Sequence, residues 1–212
     1  MAGFLVNSVG GCGSKYVVKK LMAIGDDPTL KKCHKHLKSP DLVDEGVEKV
    51  VFVFGDVILS VVSFFNRRLI NTVNHGFVPK ERNTRGDLQW AKKHCENLGG
   101  DFERMDEQWG LEEFVLRGED FFGLHDFYSD WFELANSPAK FDTCFVRYES
   151  LPDNFDRVLD FLDIKADVDM TDFITRDSSV DSLNTEVANR LETMYEGLNR
   201  RIMDFPDFYV TS

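Results

Sequence analysis

Gly10, Gly11 and Gly13 follow directly on the apolar run Phe4 to Asn7, and Ser14 and Lys15 come next at the head of a helix-forming stretch. Glycine takes backbone angles closed to other residues, so successive N–H groups there can turn inward around an anion. A helix opening at the same spot adds its positive end, a hydroxyl and an ammonium. Such a turn could hold the phosphates of a nucleotide or a group isosteric with them, with Gly10, Gly11, Cys12, Gly13, Ser14, Lys15 and Tyr16 as candidate binding residues. The Walker pattern requires Ser or Thr after its lysine, where this chain has Tyr16, so the hydroxyl that would hold magnesium is missing. An ordinary ATPase, GTPase or magnesium-dependent kinase is disfavoured. A glycine turn joining strand to helix without a ligand is the plainer alternative.

The second chemical feature is the segment KKCHKHL, with His34 and His36. An imidazole has the near-neutral pKa that general base catalysis needs, and His36 is the first candidate for that role. Against it stands the plain reading of two surface histidines on a basic strand. A His-x-His metal pair is weaker, since no third ligand at suitable spacing is nearby. His75 and His125 are secondary candidates, the latter at a helix start, and Asp56 is the carboxylate alternative. Ser60, Ser63 and Arg67 stand at i, i+3 and i+7 on one helical face. Cys12, near a helix N-terminus, is placed for a lowered thiol pKa.

These residues need a frame. Strand Phe4 to Asn7 leads through the glycine turn into a helix from Lys15 to Ile24, GDDP makes a turn, and KKCHKHL reads as a second strand. VVFVF, within Lys49 to Leu69, is the continuous run of a buried parallel strand; Gly55 and Asp56 break it, and Asp56 caps the helix that follows. Residues Asn71 to Gly110 read as a long excursion over the active face, helical around Leu88 to Asn97, of the kind that forms lids or substrate-binding segments. Helices are expected over Leu111 to Arg117 and Gly123 to Ala135, the latter burying Leu124, Phe127, Trp131 and Leu134. Strand Asp142 to Tyr148 then leads into a helix from Phe155 to Leu162. A closing helix from Asn184 to Met203 buries Val187, Leu191, Met194 and Leu198. Alternating strands and helices imply an α/β fold of three layers, a central parallel sheet flanked by helices, with the ligand at the carboxyl ends of the strands.

The bulk composition agrees. A chain of 212 residues with 42% apolar content fits one domain with one core. No run approaches the length of a membrane helix and no secretory signal opens the chain, so a soluble, cytoplasmic protein without membrane contact is expected. Cys12, Cys33, Cys95 and Cys144 form no CxxC pair and are expected to be reduced. A net charge of -12 argues against nucleic-acid binding. Up to Pro40, however, Lys15, Lys19, Lys20, Lys31, Lys32, Lys35 and Lys38 face only Asp26 and Asp27, a basic segment around the glycine turn. A local anion pocket would have that signature, although a solvated helix face has it too.

The order of glycine turn, HKHL, KVVFVFGDVILSVVSFF and FVRYESLPDNFDRVLDFLDI resembles the sulfotransferases that use 3′-phosphoadenosine 5′-phosphosulfate (PAPS), over most of the chain from Phe4 to Ile164. Ser63, eight residues past the polar break, falls at the serine of that family's 3′-phosphate motif, and RYESL resembles its RYEDL, which is mainly structural. The resemblance implies the P-loop-like sulfotransferase fold and transfer of a sulfuryl group from PAPS to a hydroxyl or amine acceptor, releasing 3′-phosphoadenosine 5′-phosphate (PAP) without a metal. The acceptor would be a small molecule or a carbohydrate. It further implies that Gly13, Ser14 and Lys15 hold the 5′-phosphosulfate, that Ser63 and a basic neighbour hold the 3′-phosphate, and that His36 stands at the histidine of the family's THLP segment. Two positions depart from the pattern. The turn's lysine is Gly11 here, for which Lys15 could substitute, and the arginine after the 3′-phosphate strand is Gly55, for which Arg67 or Arg68 could. A protein keeping the fold as an inactive nucleotide- or anion-binding module, acting through protein partners, is the alternative these departures raise. Tyr148 and Glu149 are expected to be structural.

Overall fold

The computed structural model of the chain describes residues 3–66, 92–105, 109–137, 139–174, 180–181 and 183–211. Strand β1, Phe4–Ser8, runs into the glycine loop and helix α1, Ser14–Gly25. A 3₁₀ turn over Pro28–Cys33, begun by the Asp27 carboxylate accepting from the Thr29 N–H, leaves only His34–Lys35 as strand β2. The longer strand expected from KKCHKHL is cut short because that cap and Pro28 commit its first residues to a turn. Strand β3, Lys49–Phe54, precedes α2, Val57–Asn66. Residues 92–98 are helical and form α3. Then come α4, Leu111–Arg117; α5, Leu124–Glu133; β4, Asp142–Arg147; α6, Leu151–Phe161; α7, Thr185–Asp204; and β5, Phe208–Thr211.

The strands form one sheet in the order β2-β1-β3-β4-β5. The first four are parallel, whereas β5 lies antiparallel on β4, with Val146 opposite Phe208. The sheet is therefore mixed, with an antiparallel edge strand added to the expected parallel core. Val50 to Phe54 are all fully buried, and since neighbouring side chains on a strand point to opposite faces, both faces of β3 are covered. Over one face α5 lays Trp131 flat on Phe52, ring centroids 4.9 Å apart, with Phe127, Tyr128 and Phe132 around it. This is the apolar stripe the sequence indicates, although Leu134 is only half-buried and caps the helix end.

Helix α6 starts earlier than expected, at Leu151, because Pro152 suits a first turn, where its missing N–H has no partner to lose. In α7 the buried stripe is Val187, Leu191, Tyr195, Leu198 and Ile202, with Tyr195 in the place foreseen for Met194. Tyr195 is buried because its hydroxyl reaches Asp120, 2.8 Å away. Arg147, at the end of β4, is nearly inaccessible and ties the C-terminal segment down: it pairs with Asp207 at 2.5 Å and donates to the Met203 and Phe205 carbonyls. Among the described residues no helix is long and apolar enough to cross a membrane.

Candidate functional site

Order along the sheet locates the site. The chain goes from β1 outward to β2, then returns to the other side of β1 as β3, so a crevice opens beyond the carboxyl ends of β1 and β3. The glycine loop fills its mouth. Gly10, Gly11 and Gly13 all have positive φ, of 83°, 70° and 75°. Gly13 is also obligatory for packing, because a Cβ there would lie 2.2 Å from Tyr148 Cδ2. Tyr148, expected to be structural, is thus the wall of the loop, and its hydroxyl donates to the Ile174 carbonyl.

Gly13 caps α1 without a side-chain hydrogen bond, so the first N–H groups of the helix are not satisfied by a capping side chain. The helix end keeps its partial positive charge and donors for an anion. Ser63 of α2 comes to the same place: its Cβ is 3.5 Å from where a Cβ on Gly11 would stand, as is the Ser60 carbonyl. The loop and the α2 serine, 50 residues apart in sequence between Gly13 and Ser63, are therefore neighbours. Arg67, Arg68 and His75 lie outside the described residues, as does most of the expected lid.

The other candidates are placed variously. Cys12 turns inward, fully buried, its thiol donating to the Val53 carbonyl. Lys15 is exposed at the start of α1. The Tyr16 hydroxyl donates to Asp172 at 2.6 Å, and Lys20 pairs with the same carboxylate, so this face of α1 holds the segment around Met170 to Phe173. Asp56 caps α2 through the Leu59 N–H at 2.9 Å and accepts from Asn199 of α7. His125 lies on α5, against Tyr195 and away from the loop.

His36 does reach the loop. The Asn7 side chain extends the β1 edge, accepting from the Leu37 N–H at 2.8 Å and donating to the Leu37 carbonyl at 3.2 Å. That pins HKHL beside the glycines. His36 Nδ1 lies 2.7 Å from the Ser8 carbonyl oxygen, which can only accept, so Nδ1 carries the proton and Nε2 keeps its lone pair. Burial lowers the His36 pKa, as does Lys15, while the Ser8 bond opposes them. The lowered pKa favours the neutral ring.

Sequence reasoning passed over His94. It projects from α3, nearly inaccessible, with Nε2 donating to the Val9 carbonyl at 3.0 Å. Its ring meets His36 edge-on at 4.6 Å and Phe64 at 5.4 Å. A Cβ on Gly10 would lie 2.9 Å from it. The pattern His94, Cys95, Leu98 placed on one helical face was the available signal. His34, His36 and His94 make a row of rings along the loop, but no group of side chains suited to a metal occurs among the described residues.

No protein-family model matches the chain, and no curated protein sequence matches it. Among solved structures, the mouse sulfotransferase SULT7A1, crystallised as a complex with PAP, superposes with a TM-score of 0.53 at 11% identity, over 96% of this chain and 88% of that one. A likeness at that identity concerns the fold: the chain has the sulfotransferase α/β fold.

Proposed function

We propose that the protein is a PAPS-dependent sulfotransferase acting on a hydroxyl or amine acceptor. The observation that carries this reading is the convergence of the uncapped glycine loop, Ser63 and the His36 base at one crevice. The donor set fits a phosphorylated nucleotide: an uncapped helix start, hydroxyls and Lys15, with no acidic side chain among the loop residues. Backbone donors of the loop, with Ser14 and Lys15, would hold the 5′ end, and Ser63 the 3′-phosphate. Bound there, PAPS supplies a sulfuryl group on a phosphate leaving group. His36 Nε2 takes the proton that the acceptor oxygen or nitrogen loses as its bond to sulfur forms and the sulfur–phosphate oxygen bond breaks. The loop's N–H groups and Lys15 face the charge that the departing phosphate gains, a preorganised stabilisation that needs no metal in this reading.

The test is calorimetric titration with PAP, with ATP plus magnesium for comparison. Binding of PAP in preference to ATP, weakened by Lys15→Ala and Ser63→Ala, supports the reading and justifies an acceptor screen. No binding of PAP would mean that Gly11 and Gly55 mark a lost donor site, leaving an inactive module that works through protein partners.

A further inference from the structure

A directed chain of hydrogen bonds runs beneath the glycine loop. The Gly10 N–H donates to Ser8 Oγ at 3.1 Å, and Ser8 Oγ donates to Ser14 Oγ at 2.7 Å. Ser14 thereby receives one proton and has its own to give. His34 Nε2 lies 2.8 Å away, within hydrogen-bond distance. Each hydroxyl has a single proton, so the direction is set at the far end by which form of His34 is present. With His34 neutral and its single proton on Nδ1, Nε2 is an acceptor and the Ser14 proton is spent on it. Ser14 then turns lone pairs, not a donor, toward anything else near the start of α1.

We propose that His34 acts as a positioning residue that takes up a proton when the phosphorylated donor binds, reversing its hydrogen bond so that Ser14 donates to the anion. This rests on the donor-site reading above. Protonated, His34 donates through Nε2 to Ser14 Oγ, and the Ser14 proton is released to face the phosphate; one proton enters from solvent and no other bond changes. In the ligand-free protein burial holds the His34 pKa down to about 4, with smaller contributions from His36 and Lys15. Among the described residues, those are the titratable and charged groups bearing on the ring: His36 from its own segment, 4.7 Å away centre to centre, and Lys15 from α1. From α1 it also meets the uncharged Ser14 hydroxyl, behind which stands the Ser8 hydroxyl of β1. Among the described residues no carboxylate offsets the two, so a bound phosphate would be the anion that makes the imidazolium favourable.

The experiment is PAP titration at pH 6.5 in two buffers of different protonation enthalpy, comparing the protein with His34→Gln and His36→Gln. Glutamine can still accept from Ser14 near the Nε2 position but does not titrate. The ligand's own phosphate ionisation cancels in the comparison. The expected result is an uptake of about half a proton or more per PAP beyond that of His34→Gln, retained in His36→Gln, with affinity rising up to about tenfold per pH unit of acidification only where His34 is present. Equal uptake with and without His34 overturns the proposal and leaves the donor-site reading standing; absence of PAP binding overturns both. Should His34→Gln fail to fold, imidazole nitrogen shifts of the unaltered protein decide. A His34 ring that stays neutral at pH 6.5 with PAP bound refutes the proposal, and one that becomes charged upholds it.

Discussion

Gly13→Ala is the substitution whose cost the structure defines best. Two separable terms contribute. At φ 75° an alanine is held in the left-handed region, costing about 1–2 kcal/mol. Its methyl would also stand 2.2 and 2.4 Å from Tyr148 Cδ2 and Cε2, and forcing a carbon into a filled site costs about 1–3 kcal/mol. The sum, about 2–5 kcal/mol, lowers the melting temperature of a chain this size by roughly 10 °C. The assay is urea unfolding followed by circular dichroism, in a double-mutant cycle with Tyr148→Ala. Removing the ring abolishes the steric term and leaves the backbone term. Gly13→Ala should therefore cost only about 1–2 kcal/mol in the Tyr148→Ala background, a coupling of about 1–3 kcal/mol. Equal cost in both backgrounds, or a total below about 0.5 kcal/mol, would refute the placement of Tyr148 as the loop's wall.

Two further outcomes follow from the histidines. His36→Ala should lower kcat about 10²–10⁴-fold on the best acceptor found by screening while leaving the Kd for PAP unchanged, and because burial lowers the His36 pKa, the acid limb of kcat/KM in the unaltered protein should lie below pH 6.5. The second concerns stability: unfolded His34 binds its proton near pH 6.5, folded His34 only at about 4, so the unfolded state gains protons first and stability is lost as pH falls through that window. Relative to His34→Gln, the unaltered protein should lose about 2 kcal/mol between those limits, a shift of this size being discounted for the ring's partial exposure, and urea midpoints measured across the range will read it.

The segments that the candidate site draws on could be read from the chain because each is local. A glycine loop after a strand, a serine on the next helix and a histidine pair after the first crossover each sit within one short segment, and the parallel order of the strands follows from the alternation that carries them. What was not legible depends on distant packing. His94 becomes a neighbour of His36 only through the placement of α3, and nothing in residues 92–98 names the ring it will meet. Strand β5 has four residues behind Pro206, too short a run to outweigh a turn, and it forms because β4 offers a free edge and Arg147 anchors Asp207. Cys12 reads as a loop residue exposed to a ligand, yet its thiol turns inward and donates to the Val53 carbonyl of β3, a contact between segments far apart in sequence. The hydroxyl chain from Ser8 to His34 was equally out of sight, since it exists only through distances between three segments.

The strand that presents His36 is the thinnest part of the sheet. Two residues of β2 pair with β1, and the Asn7 amide stands in for the next rung of the ladder. Opening that edge breaks a handful of hydrogen bonds, one of them from Trp131 Nε1 to the Leu37 carbonyl, while leaving the stacking of Trp131 on Phe52, so its free energy lies below that of global unfolding. The placement of His36 and the fold consequently have separate thermal limits. On warming, HKHL frays first and carries the His36 imidazole away from the loop at a temperature where most of the core is still intact.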